Sequence, residues 1–96
     1  MLEITKQAKV ITFQGEMNRD TVVDFLPFTL LHGETGELIF DLAAVVHVDT
    51  AGLAWLLQQI SVATQQSLVV KLRNMPAQLA SLATVSDVFT LLPRES

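Results

Sequence analysis

The stretch Val46-His47-Val48-Asp49-Thr50-Ala51-Gly52-Leu53-Ala54-Trp55-Leu56-Leu57 reads, within twelve residues, as a strand exit, a capped helix start and an amphipathic helix. Asp49 is placed to accept hydrogen bonds from the free N–H groups of the first helical turn, and its carboxylate suits the positive end of the helix dipole. Gly52 keeps that turn uncluttered. The pattern predicts an outward-facing helix N-terminus, a surface that binds a partner or carries a phosphate.

Upstream, Glu37 to Leu42 is a short apolar run with the β-branched and aromatic character of a buried central strand, and Ala43 to Val48 connects it to a helix starting near Thr50. Along that helix Leu53, Leu56, Leu57, Ile60 and Thr64 share one side at the 3.6-residue period. Gln65-Gln66-Ser67 closes it ahead of a strand, Leu68 to Leu72. A strand, a helix and a strand in this order predict parallel pairing.

Towards the N-terminus, Leu2 to Thr5 and Ala8 to Phe13 alternate as two strands, a hairpin turning through Lys6-Gln7, with the second strand ending at Gln14-Gly15-Glu16. From Thr21 to Leu31 a helix is expected, capped by Asn18 or Asp20, kinked or delayed by Pro27 and ended by Gly33. Its apolar residues surround it too fully for one buried stripe. Asn74 or Met75 opens a last helix with Pro76 in its first turn and Leu79, Leu82 and Ala83 on one side. Val88 to Leu92 is a short apolar segment before a frayed Pro93 to Ser96.

Ninety-six residues fit a single domain. Half of them are hydrophobic and 17% are charged, against about 25% charged in a typical soluble domain. Such a surface suits a chain partly covered by a partner, and leaves room for weak self-association. The net charge of −4, with six Lys and Arg scattered along the chain, provides no basic patch, which argues against nucleic acid as a ligand. With no cysteine there is no disulfide framework, thiolate metal site or thiol catalysis. Met1-Leu2-Glu3-Ile4-Thr5-Lys6 has neither a basic n-region nor an apolar h-region, and no apolar run suffices for direct membrane insertion, so a cytoplasmic location is expected.

His32 and His47 lack companions at metal-ligand spacing, and Gly33 and Gly36 lack the Lys and Ser or Thr of a phosphate-binding loop. Asp41 and Asp49 could divide acid and base roles only if they converged, and no nucleophile with base and orienting group accompanies them. A non-catalytic protein without a cofactor is expected. On a wheel turning about 100° per residue, Ala51, Trp55, Gln58 and Val62 fall opposite Leu53 and Ile60. This phase points the sole tryptophan outward as an interface anchor; the alternative is that Trp55 lies under a neighbouring segment of its own domain.

The Asp49-Thr50-x-Gly52-Leu53-Ala54-x-Leu56-Leu57 pattern, with the strand Leu38-Ile39-Phe40 and Asp41-Leu42 before it, resembles the STAS domain over nearly the whole chain. The resemblance implies an α/β, STAS-like fold with a mixed four- to five-stranded sheet packed against helices, residues 1 to 96 forming one STAS domain. Regulated members carry Asp-Ser-Ser-Gly or Asp-Ser-Thr-Gly, phosphorylated on the residue before the glycine. Ala51 stands there in this chain and cannot accept phosphate, while Thr50 offers a hydroxyl one residue earlier.

Within the family the pattern looks most like the stand-alone STAS subunit of the Mla phospholipid transporter. That likeness implies a subunit held peripherally at the inner membrane by its partner, the ATPase of an ABC transporter whose separate permease moves the lipid, in a system that maintains outer-membrane lipid asymmetry. The likeness places the ATPase contact at the Asp49-Thr50 region; together with the wheel, this makes Asp49, Thr50, Ala51, Gly52, Trp55 and Gln58 the expected partner-binding residues. An anti-sigma-factor antagonist, regulating transcription through a kinase partner, is the alternative function.

Overall fold

The computed structural model describes residues 1–26 and 28–95. Strands β1 (Leu2–Gln7) and β2 (Val10–Met17) lead to a short helix α1 (Arg19–Val22), which runs on as a 3-10 turn, Val23–Phe25. There follow β3 (Glu37–Val48), α2 (Thr50–Gln65), β4 (Val69–Arg73), α3 (Ala77–Val85) and a last 3-10 turn, Phe89–Leu91. The sheet has the order β1-β2-β3-β4. β1 runs antiparallel to β2, and the β2/β3 and β3/β4 pairs are parallel, so the sheet is mixed.

Alternation along the strands divides the sheet into two unlike faces. Ile11, Phe13, Leu38, Phe40, Leu42, Val70 and Leu72 are buried on one face, joined there by Leu53, Leu56 and Ala63 of α2 and Leu79 and Ala83 of α3. By register, the other face carries Glu3, Thr5, Thr12, Gln14, Glu37, Asp41, Lys71 and Arg73, with Val10, Ile39 and Val69 among its apolar residues. The domain is therefore two layers with one core between them.

The hairpin turns at Ala8-Lys9, two residues later than the sequence suggests. Pairing Gln7 with Val10 sets Ile4 opposite Phe13, and Ala8 takes a left-handed backbone, φ 54°. β2 also continues through Gly15, where a strand end was expected. Gly15 has φ 106°, and a Cβ there would lie 2.0 Å from the carbonyl oxygen of Met1, so only glycine lets the chain start approach and the strand persist.

β3 is twice as long as its apolar run implies, because Ala43 to Val48 belong to it. Two β-bulges mask the alternation: Thr12 and Gln14 face Asp41 and Ala44, and Gly15 and Glu16 face Val45 and His47. The extra residue of the second bulge, Val46, is 76% exposed, and the shift returns Val48 to the core at 1%. The bulges thus aim the strand end at the start of α2.

The expected helix from Thr21 to Leu31 is largely absent. Asn18 is its cap, its side-chain oxygen accepting from the Asp20 and Thr21 N–H groups at 3.0 Å each while Thr21 Oγ1 accepts from the Asn18 N–H at 2.9 Å. That reciprocal box starts a single turn, which tightens and gives way at Leu26, extended at φ −119°. An all-round apolar helix would leave large side chains in water; the irregular path instead buries Val22, Phe28 and Leu31 and exposes only Val23 and Leu26 among these. Pro27 lies outside the described residues, and Gly33 sits in a turn at φ 77°.

Pro93 to Glu95 are not frayed, and Ser96 lies outside the described residues. The Leu72 N–H donates to the Pro93 carbonyl at 2.7 Å and the Glu95 N–H to the Leu72 carbonyl at 2.9 Å, a one-residue parallel bridge beside β4. Arg73 adds a two-pronged ion pair to Glu95, both contacts 3.1 Å. Hydrogen bonding and the attraction of Arg73 hold the Glu95 carboxyl below the usual carboxylate range.

Candidate functional site

Asp49 leaves β3 extended (φ −107°) and joins two helix starts. Its Oδ1 accepts from the Gly52 N–H at 2.8 Å, capping α2, and its Oδ2 accepts from the Arg19 N–H at 3.3 Å, at the start of α1. The Asp49 N–H in turn donates to the Met17 carbonyl at 3.2 Å, fixing the turn to the end of β2. One carboxylate therefore sets the spacing of both helix starts. Asp49→Ala is expected to lower stability by about 2 kcal/mol, at the upper end for a lost cap, and Asn18→Ala by about 1 kcal/mol; chemical denaturation of both variants checks the order.

Between these helix starts lies an open cleft of about 390 Å³ lined by Glu16, Asn18, Arg19, Asp20, His47, Asp49, Thr50 and Ala51. Thr50 is exposed, Ala51 half-buried and Asp49 half-buried. His47 is oriented by α3: Gln78 Oε1 accepts from the Val48 N–H at 2.9 Å, and Gln78 Nε2 meets His47 Nδ1 at 3.3 Å. With Gln78 Oε1 taken by the Val48 N–H, the amide nitrogen is the donor toward His47 Nδ1. The cleft offers a hydroxyl, carboxylates and one guanidinium on a rigid frame, suited to polar contact with a protein surface. Glu16, Asn18, Arg19, Asp20 and His47 were not assigned to it from sequence. Their only local signal was the capping pattern at Asn18, because the cleft is closed by contacts about thirty residues apart.

Of the residues singled out in the sequence, the structure gathers Asp49, Thr50 and Ala51 in the cleft and leaves Gln58 exposed farther along α2. Two do not present themselves. Gly52 is buried, packed against the Met17 backbone. Trp55 points inward, 5% exposed, its ring meeting Phe13, Phe25 and Phe28 edge-on at centroid distances of 6.1, 6.4 and 5.3 Å. The outward reading of Trp55 fails because α2 is covered on two flanks, by the sheet and by the segment around Phe25 and Phe28.

Asp41 accepts from the Ala43 N–H and from Asn74 Nδ2, each at 3.1 Å, and does not line the cleft with Asp49. Among the described residues no group of three or more His, Asp or Glu could hold a metal ion, and no helix is long and apolar enough to cross a membrane.

The sequence model of the family described as "Mlab, STAS domain" matches residues 1–93. The chain belongs to the STAS domain family. Among solved structures, the anti-sigma factor antagonist SpoIIAA in its unphosphorylated form is similar over 98% of this chain and 86% of its own, with a TM-score of 0.67 at 14% identity. The murine anion transporter Slc26a9, a solute carrier 26 family member in its inward-facing state, is similar over 88% of this chain and 14% of its own, with a TM-score of 0.58 at 19% identity. At these identities the likeness is one of fold. A search of curated protein sequences finds no match.

Proposed function

We propose that this chain is a non-catalytic STAS subunit that binds the ATPase of an ABC-type phospholipid transporter, held beside the inner membrane by that partner while a separate permease moves the lipid. The observation that carries the reading is the exposed Thr50 beside Ala51 on a helix start fixed by Asp49, in a chain matched over residues 1–93 by the MlaB-type STAS model. Ala51 occupies the place of the phosphorylated residue in regulated members and has no hydroxyl, which supports constitutive docking over a kinase-driven switch. The low charge content of the chain fits a subunit with a covered face.

The docking surface on this reading is Asp49, Thr50 and Ala51, with Gln58 at its margin. Thr50→Arg places a long cation at its centre and is expected to weaken the complex at least about thirtyfold, roughly 2 kcal/mol, with an unchanged melting temperature because Thr50 is exposed. Affinity purification from native cells in mild detergent tests both points. Recovery of an ABC ATPase and its permease by the unmodified chain, lost with Thr50→Arg, supports the proposal. Recovery of a serine kinase of the anti-sigma-factor type without a transporter overturns it in favour of an antagonist.

A further inference from the structure

Residues 28–35 lead away from the aromatic cluster, which they join through Phe28, and are held to the domain by side chains more than by backbone pairing. Among the described residues, the backbone of 28–35 makes two backbone hydrogen bonds, both internal: the His32 N–H to the Thr29 carbonyl at 3.1 Å and the Glu34 N–H to the Leu31 carbonyl at 3.3 Å. Regular pairing resumes at Gly36, whose carbonyl accepts from the Val69 N–H at 2.9 Å. What pins the segment is side-chain contact. Phe28 and Leu31 insert into the core, and Glu34 reaches the hairpin, Oε2 to Lys6 Nζ at 2.7 Å and Oε1 to Lys9 Nζ at 3.1 Å. Lys9 Nζ also donates to the Thr35 carbonyl at 2.8 Å.

Beneath the segment lies an unsatisfied donor. Trp55 Nε1 is buried and has no hydrogen-bond partner among the described residues, so the closed arrangement withholds from this N–H the water it would bind if the cover lifted. A segment lacking backbone bonds to its support, above a donor that gains a partner on exposure, has the makings of a local opening unit.

We propose that residues 28–35 form a strap that opens as a unit while the sheet and α2 stay folded, with Glu34 on Lys6 and Lys9 as its latch. Gly33 and Gly36, both at positive φ (77° and 79°), supply hinge positions at its distal end. Opening bares Trp55, Phe28 and Leu31 and leaves β3 and the Asp49 cap untouched.

Because Trp55 is the only tryptophan, its emission reports the strap directly. Glu34→Gln keeps the side-chain shape and removes the charge. Expected are exchange of the His32 and Glu34 amides, the two hydrogen-bonded ones of the strap, faster by about tenfold, as a local opening becomes more populated, and a roughly twofold rise in acrylamide quenching of Trp55, with β3 and α2 amides at unmodified rates. In the unmodified protein, about 1 M NaCl should move the same amides in the same direction by screening the latch. Acceleration of β3 and α2 amides in parallel with the strap would overturn the proposal, since the variant would then act through global unfolding. Unchanged strap exchange under both conditions would overturn it equally.

Discussion

Trp55→Ala is expected to destabilise the domain by about 4 kcal/mol, in the range for a buried tryptophan cut to alanine. The side chain is 5% exposed and fills the space where Phe13, Phe25 and Phe28 converge. Its removal leaves a cavity under a segment that α1 and its 3-10 turn cannot collapse onto without losing the Asn18 cap. A domain of this size has roughly 5 to 14 kcal/mol in total, so the variant should show a clearly lower urea midpoint by circular dichroism. Trp55→Phe keeps an aromatic ring and deletes an N–H that has no partner among the described residues, and should lose only about 1 to 2 kcal/mol. A Trp55→Ala protein as stable as the parent but deficient in partner binding would restore the outward anchor that the helical wheel suggested.

The helical wheel went astray at Trp55 for a reason worth generalising. It assigns a helix one buried side, and for α2 that side was centred on Leu53 and Ile60. In the fold, Gly52, Leu56, Gln59 and Ala63 line the middle of the buried arc, with Leu53 at one border and Trp55 at the other. The second border exists only because Phe25 and Phe28 come from a segment some thirty residues earlier, a contact no local period contains. The same limit explains β3, whose bulges at Ala43 and Val46 erase the period of two, and α1, where burial of Phe28 and Leu31 overrode a run with fair helical character.

What was legible was local chemistry. Asp49 as a cap, the bounds of α2 at Thr50 and Gln65, β4 and the parallel strand-helix-strand unit all follow from side chains acting within a few residues of themselves. The candidate site was legible to the same depth. Asp49, Thr50 and Ala51 stand where the capped helix start predicted, whereas the second role of Asp49, accepting from Arg19, joins positions thirty apart and needed the structure.

Gly52→Ala separates these two kinds of information most sharply, because they disagree on its sign. By helix propensity alone alanine is better than glycine by about 1 kcal/mol, and Gly52 lies inside α2 without a positive φ, so a local reading expects a stabilised protein. The packing says otherwise. A Cβ at Gly52 would sit 2.0 Å from the Met17 carbonyl oxygen and 2.7 Å from its carbonyl carbon. That carbonyl cannot swing aside freely, since it accepts from the Asp49 N–H, and any shift also pulls on the carboxylate that spaces α1 and α2. The helix start must therefore move off β2. Overpacking of this kind outweighs the propensity gain, with a net loss of about 3 kcal/mol expected and a melting temperature lower by roughly 15 °C for a domain of this size. Thr50→Arg, two residues away, should leave the melting temperature unchanged, so the pair distinguishes the residue that builds the helix start from the one that presents it. A rise in melting temperature with Gly52→Ala would mean that α2 begins farther from β2 than the structure has it.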